Sequence, residues 1–198
     1  MPDSSSPEII LRGERVALGP LHAGLLPSLR RWENDPLTVE LGGESFSPRT
    51  AEQVAMMWVP RIHEPRPGWH GFAIYHLPDL LPIGHANIRD VGTEHRTAEF
   101  GITIGEPAMR GLGLGTEATR LLLHHAFTAL DVHNIWLDTI SVNHAAIGAY
   151  RAAGFREIGR IRNARRFAGR AVDMVLMECL ATEFLTEQSP AATPRQNP

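Results

Sequence analysis

Hydrophobic and polar positions alternate in some stretches of the chain and recur with helical spacing in others, and the order of these stretches outlines a domain. Ala98–Gly105 (AEFGITIG) reads as a strand. Leu114–Leu130 places Leu114, Ala118, Leu121, Leu122, His125 and Ala126 on one helical face, and Asn134–Ser141 (NIWLDTIS) is a compact run of buried-strand type. Asn143 stands where a helix N-cap is needed, the helix it opens runs through Ala153, and Gly154 closes it. Arg156–Phe167 and Ala171–Leu180 predict a closing hairpin that turns at Ala168-Gly169-Arg170. Upstream, Arg15–Leu21 alternates like an edge strand, and Ala23–Glu33 and Thr50–Glu64 read as helices. Gly71–His76 and Ile83–Val91 are short strands connected through Pro78-Asp79 and Pro82. Asp35–Pro48, with its glycines and prolines, predicts a loop between the two helices.

The run Met109-Arg110-Gly111-Leu112-Gly113-Leu114-Gly115-Thr116 joins the first strand of that core to its helix. Glycine turns tightly and admits close approach of a ligand. A turn opening into a helix aims unpaired N–H groups and the positive dipole end at one point, which favours an anion such as a phosphate. A P-loop is excluded because it ends in Gly-Lys-Ser/Thr and the chain has no lysine. A dinucleotide fingerprint needs a third glycine where Thr116 stands, and it belongs to the first strand–helix turn of its fold, whereas this motif lies mid-chain.

Arg110-x-x-Gly113-x-Gly115 resembles the pyrophosphate-binding loop of the GNAT superfamily of N-acetyltransferases. Asn143-His-Ala-Ala-Ile-Gly-Ala-Tyr150-Arg-Ala-Ala-Gly154-Phe155 is similar to that superfamily's second signature. The two stand in the family's order, and the resemblance covers about Glu8 to Leu180, nearest to the ribosomal-protein N-terminal acetyltransferase (Rim-type) branch. It implies an α/β (α+β) fold with a central mixed, mostly antiparallel sheet of about seven strands flanked by about four helices. It implies acetyl-CoA as cosubstrate, an amine acceptor and no metal. The cofactor-binding positions carried over are Ile102, Thr103, Ile104, Arg110, Gly111, Leu112, Gly113, Leu114, Gly115, Thr116, Asn143, Ile147 and Tyr150. In the family the helix–loop–helix near the N-terminus lines the acceptor site, which points to Trp32, Glu33 and Glu40 and, with Asp35 and Glu44, to an acidic mouth suited to a cationic amine.

Length and composition narrow the picture. The 198 residues suffice for one domain, expected over residues 9–182, with loose ends at 1–8 and 183–198. All 19 basic residues are arginine, against 22 acidic ones, and the net charge of −3 gives no reason to expect a nucleic-acid partner. The single cysteine, Cys179, falls in the last apolar strand and reads as a core residue; one cysteine cannot form an internal disulfide, which is compatible with a reducing cytoplasm. No apolar run nears the ~18 residues of a membrane span, and Met1–Pro7 lacks the apolar core of a signal peptide. The ten histidines form no metal-ligand spacing, and no nucleophile motif accompanies the cysteine. The expected setting is cytoplasmic, without a membrane partner, and a homodimer is allowed.

Direct transfer from a thioester to an amine needs an unprotonated amine, a polarised carbonyl, a neutralised thiolate and alignment. Asn143 and Tyr150 lie two helical turns apart, about 10.5 Å along the axis and on one face, a span that suits a pantetheine arm. The family resemblance makes Tyr150 the general acid at the sulfur. It also points to Glu99, eleven positions before Arg110, as the base, with a structural carboxylate paired to an arginine and a water chain as rival readings. Backbone groups at Ile102–Ile104 would pair with the pantetheine amides like an added strand. Besides transfer of acetyl to a protein N-terminus or a small amine, three alternatives stay open: another acyl donor such as succinyl-CoA, a catalytically silent acyl-CoA-binding module, and a nucleotide-binding module.

Overall fold

A computed structural model describes residues 6–92 and 94–188 of the chain. Eight strands form one sheet in the order β1-β2-β3-β4-β5-β6-β8-β7. They are β1 (Leu11–Arg12), β2 (Val16–Pro20), β3 (His70–His76), β4 (Leu81–Arg89), β5 (Thr97–Ile104), β6 (Asn134–Ile140), β7 (Arg156–Phe167) and β8 (Arg170–Leu180). Every neighbouring pair is antiparallel except β5–β6, which is parallel. The helices are α1 (Leu26–Glu33), α2 (Pro36–Leu41), α3 (Ala51–His63), α4 (Leu114–Thr128), α5 (His144–Ala153) and α6 (Ala181–Gln188).

Strand alternation feeds two cores, one on each face of the sheet. Phe72 and Ile74 of β3 join Val16, Leu18, Ile88, Phe100 and Ile135 beneath α4, whose Ala118, Leu122, Leu123 and Ala126 are fully buried. Ala73 and Tyr75, the intervening residues of β3, pack with Leu29, Trp32, Val54 and Trp58 of α1 and α3. A parallel connection needs a crossover, and α4 supplies it between β5 and β6. Thr50 begins α3 with a reciprocal capping box involving Gln53, at 2.8 and 3.2 Å.

Four expectations change. Arg15–Leu21 does not supply an edge strand: β2 lies between β1 and β3, and Val16, Ala17 and Leu18 have no exposed surface because α4 covers one side. The predicted loop Asp35–Pro48 contains α2, which Pro36 opens at a position where its missing N–H is harmless. The short β1 raises the strand count from about seven to eight. Residues assigned to the tail from 183 onward form most of α6, anchored by Phe184 against Phe127 at 5.4 Å between ring centroids, whereas 189–198 lie outside the described residues. Residues 1–5 of the expected loose N-terminus also lie outside them.

Candidate active site

The parallel pair β5–β6 comes apart. β5 pairs with β4 from Glu99 to Ile104, but with β6 only at Thr97, Ala98 and Glu99. Beyond Glu99 the β6 side of β5 has no strand partner, so Phe100–Ile104 leaves backbone groups facing a gap. A cavity of about 1250 Å³ opens there and reaches both faces of the sheet. Ile102, Thr103 and Ile104 line it, as do Arg110, Gly111, Gly113, Gly115 and Thr116 of the following turn.

That turn presents backbone. Gly111 and Gly113 hold φ of +73° and +79°, which side-chain-bearing residues rarely adopt. Gly113 is the N-cap of α4, and no side chain caps the helix, so the first-turn N–H groups face outward without an intrahelical acceptor. The side chains around the turn are spent on holding it. Arg15 donates from Nε to Glu117 at 3.0 Å and from Nη1 to the Leu112 carbonyl at 2.9 Å. Glu117 also accepts the Arg15 and Val16 N–H groups at 2.8 and 3.2 Å. Burial works to raise the Glu117 pKa, but these hydrogen bonds outweigh it and hold the carboxyl below its ordinary 4.5. Sequence reading missed this clamp; the acidic residue in the first turn of a helix was its only local signal.

Arg110 is likewise turned inward. It donates to the carbonyls of Ile104 and Gly105 at 3.0 and 2.9 Å and to Asp35 and Thr38 at 3.0 and 2.6 Å. Its guanidinium thus ties the strand end to α2 rather than standing open to an anion. Burial opposes ionisation of Asp35, and the bonds from Thr38 and Arg110 overcome it, lowering its pKa. Leu114 and Ile147 point into the core, while Leu112 is exposed beside the cavity's lining.

On α5, Asn143 Oδ1 caps the helix by accepting from the Ala146 N–H at 3.2 Å, and its Nδ2 donates to the Leu41 carbonyl at 3.2 Å. Its amide is therefore committed to the fold at both ends. Tyr150 packs edge-on against Phe100 and Phe155, and its hydroxyl has no hydrogen-bond partner among the described residues. Burial, with the nearby charge of Asp138, pushes its pKa up to about 12, so it carries its proton at neutral pH.

Across the gap, β4 and β5 present matched residues: His85 beside Thr103, Asn87 beside Gly101, Arg89 beside Glu99. Arg89 donates directly to Glu99, so the carboxylate is part of an ion pair. Asn87 Oδ1 is buried without a partner among the described residues. His85 stacks edge-on against Trp58 at 4.7 Å, and burial, with the charge of Arg61, lowers its pKa to about 4. Trp32 closes over the end of β5, its indole lying 2.2 Å from where a Gly105 Cβ would sit, and donates to Glu106 at 3.0 Å. Glu33 accepts from Trp58 at 3.1 Å and pairs with Arg49, which also pairs with Glu44. Trp32, Glu33 and Glu44 line the cavity; Glu40 does not. Much of the expected acidity of the mouth is thus neutralised by neighbours. Among the described residues no group of three His, Cys, Asp or Glu is placed to hold a metal, and no helix is long and apolar enough to cross a membrane.

Comparison with known proteins agrees with this geometry. The acetyltransferase (GNAT) domain profile matches residues 15–156, well over half of the chain. The chain belongs to the GNAT acetyltransferase family. Among its relatives in that family are spermidine N(1)-acetyltransferases of Escherichia coli K12, 31% identical over 111 residues, and of Vibrio cholerae, 31% identical over 103 residues. These matches cover 56% and 52% of this chain, and the chain spans 55% and 59% of the relatives' lengths. The crystal structure of spermidine N-acetyltransferase from Vibrio cholerae in complex with CoA and spermine superposes with a TM-score of 0.78 at 24% identity, over 87% of this chain and 99% of that one, which shows the shared fold. These relatives are spermidine enzymes, so the comparisons support the GNAT family and not its Rim-type branch in particular.

Proposed function

We propose that this chain is an acetyl-CoA-dependent N-acetyltransferase that passes the acetyl group directly from the thioester to a primary amine. The observation that carries the reading is the unpaired edge of β5 running into an uncapped helix start, with an unpartnered tyrosine hydroxyl beside the gap. In this reading the first turn of α4 takes the pyrophosphate through its N–H groups. The backbone of Ile102–Ile104 pairs with the pantetheine amides, and one N–H polarises the thioester carbonyl.

The amine nitrogen attacks that carbonyl carbon, the C–S bond breaks, Tyr150 gives its proton to the departing sulfur, and the proton shed by the new amide nitrogen restores the Tyr150 hydroxyl through cleft water. Because Arg89 holds Glu99, we assign this carboxylate a positional role and let the amine lose its proton to water in the cleft. The spermidine enzymes among its relatives make polyamines the first acceptors to try, ahead of protein N-termini. The test is thiol release from acetyl-CoA with a panel of amines, with the acetylated product weighed by mass spectrometry. Amine-dependent release of one thiol per acetylated amine is expected. Tight acetyl-CoA binding with no release for any amine would make the chain a silent acyl-CoA-binding module instead.

A further inference from the structure

Asp138 is a carboxylate that the mechanism above leaves unused. It sits on β6 two residues beyond Trp136, the last β6 position that pairs with β5. Side chains alternate along a strand, so Asp138 shares a face with Trp136 and, through the Glu99–Trp136 pairing, with Glu99 and Gly101. Leu137 between them is buried in the core with Phe100. Asp138 therefore stands on the face opposite α4, just past the point where the two strands separate, and lines the cavity.

Its place sets it apart from the other acids that line the cavity: Glu64 and Asp90 also lack a side-chain partner among the described residues, but they follow the ends of α3 and β4 and do not stand where β5 and β6 part. Glu99 is bonded by Arg89, and Glu33 and Glu44 are paired with Arg49. Among the described residues the Asp138 carboxylate makes neither a hydrogen bond nor an ion pair, although its backbone pairs with Leu176 of β8. Arg89 bonds Glu99 and senses Asp138 only at longer range, and the charge of Asp138 also reaches Tyr150. The gap thus has a proton donor on one side and a carboxylate with no bonded partner on the other, and a partly buried charge of this kind gains from a cationic partner.

We propose that Asp138 receives the acceptor's amino group, drawing in the ammonium by charge. Once one proton has passed to water, it accepts a hydrogen bond from the remaining N–H so that the nitrogen lone pair faces the thioester carbonyl. Asp138 is then a specificity-determining residue for cationic amines. This proposal rests on the acetyltransferase reading.

The experiment compares wild type, Asp138→Asn, Asp138→Glu and Glu99→Gln, with spermidine, phenethylamine and a tripeptide with a free N-terminus as probes. Amine binding to the CoA-saturated protein is followed by calorimetry, and turnover by thiol release. Asp138→Asn should weaken amine binding and raise the amine KM about tenfold to a hundredfold, as loss of a charged hydrogen bond does. CoA affinity should stay at the wild-type value, which also reports an intact fold. Asp138→Glu should recover part of the loss, and Glu99→Gln should cost amine affinity less than Asp138→Asn. Unchanged amine affinity in Asp138→Asn, or a larger loss in Glu99→Gln, overturns the proposal while leaving acetyl transfer by wild type in place. Wild type that binds CoA but neither binds nor acetylates any probe overturns the acetyltransferase reading and this proposal together.

Discussion

The turn between β5 and α4 and the segment between α1 and α3 border the same cleft, but they are held by opposite means. Around the turn, Arg15, Glu117 and Arg110 bond largely to backbone, leaving the first-turn N–H groups of α4 open. Between α1 and α3 the charged side chains bond mostly to one another or to indoles: Glu33 with Trp58 and Arg49, Asp35 with Arg110, Glu44 with Arg49. One wall offers backbone donors whose direction the fold sets, which suits a ligand part with constant chemistry. The other is a web of satisfied side chains, where recognition falls to the few groups left over. Such groups can be exchanged singly without disturbing the frame.

The largest effect should come from the junction of the two walls. General-acid assistance is worth about 10²–10⁴-fold in rate, so Tyr150→Phe should lower kcat by at least about tenfold while the KM for acetyl-CoA changes little, because the ring packing against Phe100 and Phe155 remains. Single-turnover kinetics check this. Wild-type kcat with chemistry rate-limiting would reduce Tyr150 to a packing residue and leave the cleft without a proton donor on that side.

A smaller loss should follow from the backbone wall. Gly113→Val places a branched side chain at φ +79°, with its Cβ 3.3 Å from the Arg15 guanidinium. Left-handed backbone costs a side-chain-bearing residue about 1–2 kcal/mol, and relaxing it turns the N–H groups away, so acetyl-CoA affinity should fall about tenfold or more by calorimetry. Equal affinity in a folded Gly113→Val protein would show that the turn does not grip the cofactor.

The smallest effect concerns the clamp behind the turn. Glu117→Gln replaces charged hydrogen bonds with neutral ones at a partly exposed site, a loss of about 1 kcal/mol or about 2–4 °C in Tm. Because the folded pKa of Glu117 lies below its ordinary 4.5, its stabilisation is complete above that pH and disappears as the pH falls through the lowered value. The Tm gap between wild type and Glu117→Gln should therefore close in acid. A gap that stays constant down to pH 3 would assign the stabilisation to packing instead of charge.

The backbone wall was the more legible of the two because its signals are local. Glycines before α4, Asn143 at the cap of α5 and Tyr150 two turns later are spaced by backbone geometry that any reader of the chain can apply. The roles of their side chains were less legible. Arg110 and Asn143 are spent within the fold, on partners 75 and 102 residues away, and nothing near either residue in the chain announces Asp35 or Leu41. The acidic mouth was carried over from the family resemblance, and its neutralisation by Arg49 and Arg110 depends on how α1, α3 and the segment between them pack. Helix α2 went unread because its single turn and a half carries too short a periodic pattern, and α6 because its one buried anchor, Phe184, needs Phe127 to be recognised as such.

The chain by itself determined the order of the elements it announces and the turn whose glycines can adopt left-handed backbone, since each follows from periodicity and backbone sterics within a few residues. Only the tertiary structure decided that β5 and β6 pair in parallel and where they part, and which carboxylates acquire an arginine and which do not, because strand pairing and charge compensation are set by contacts between residues far apart in sequence. The Coulomb energy that distinguishes Glu99 from Asp138 depends on a distance to Arg89 that no local pattern encodes.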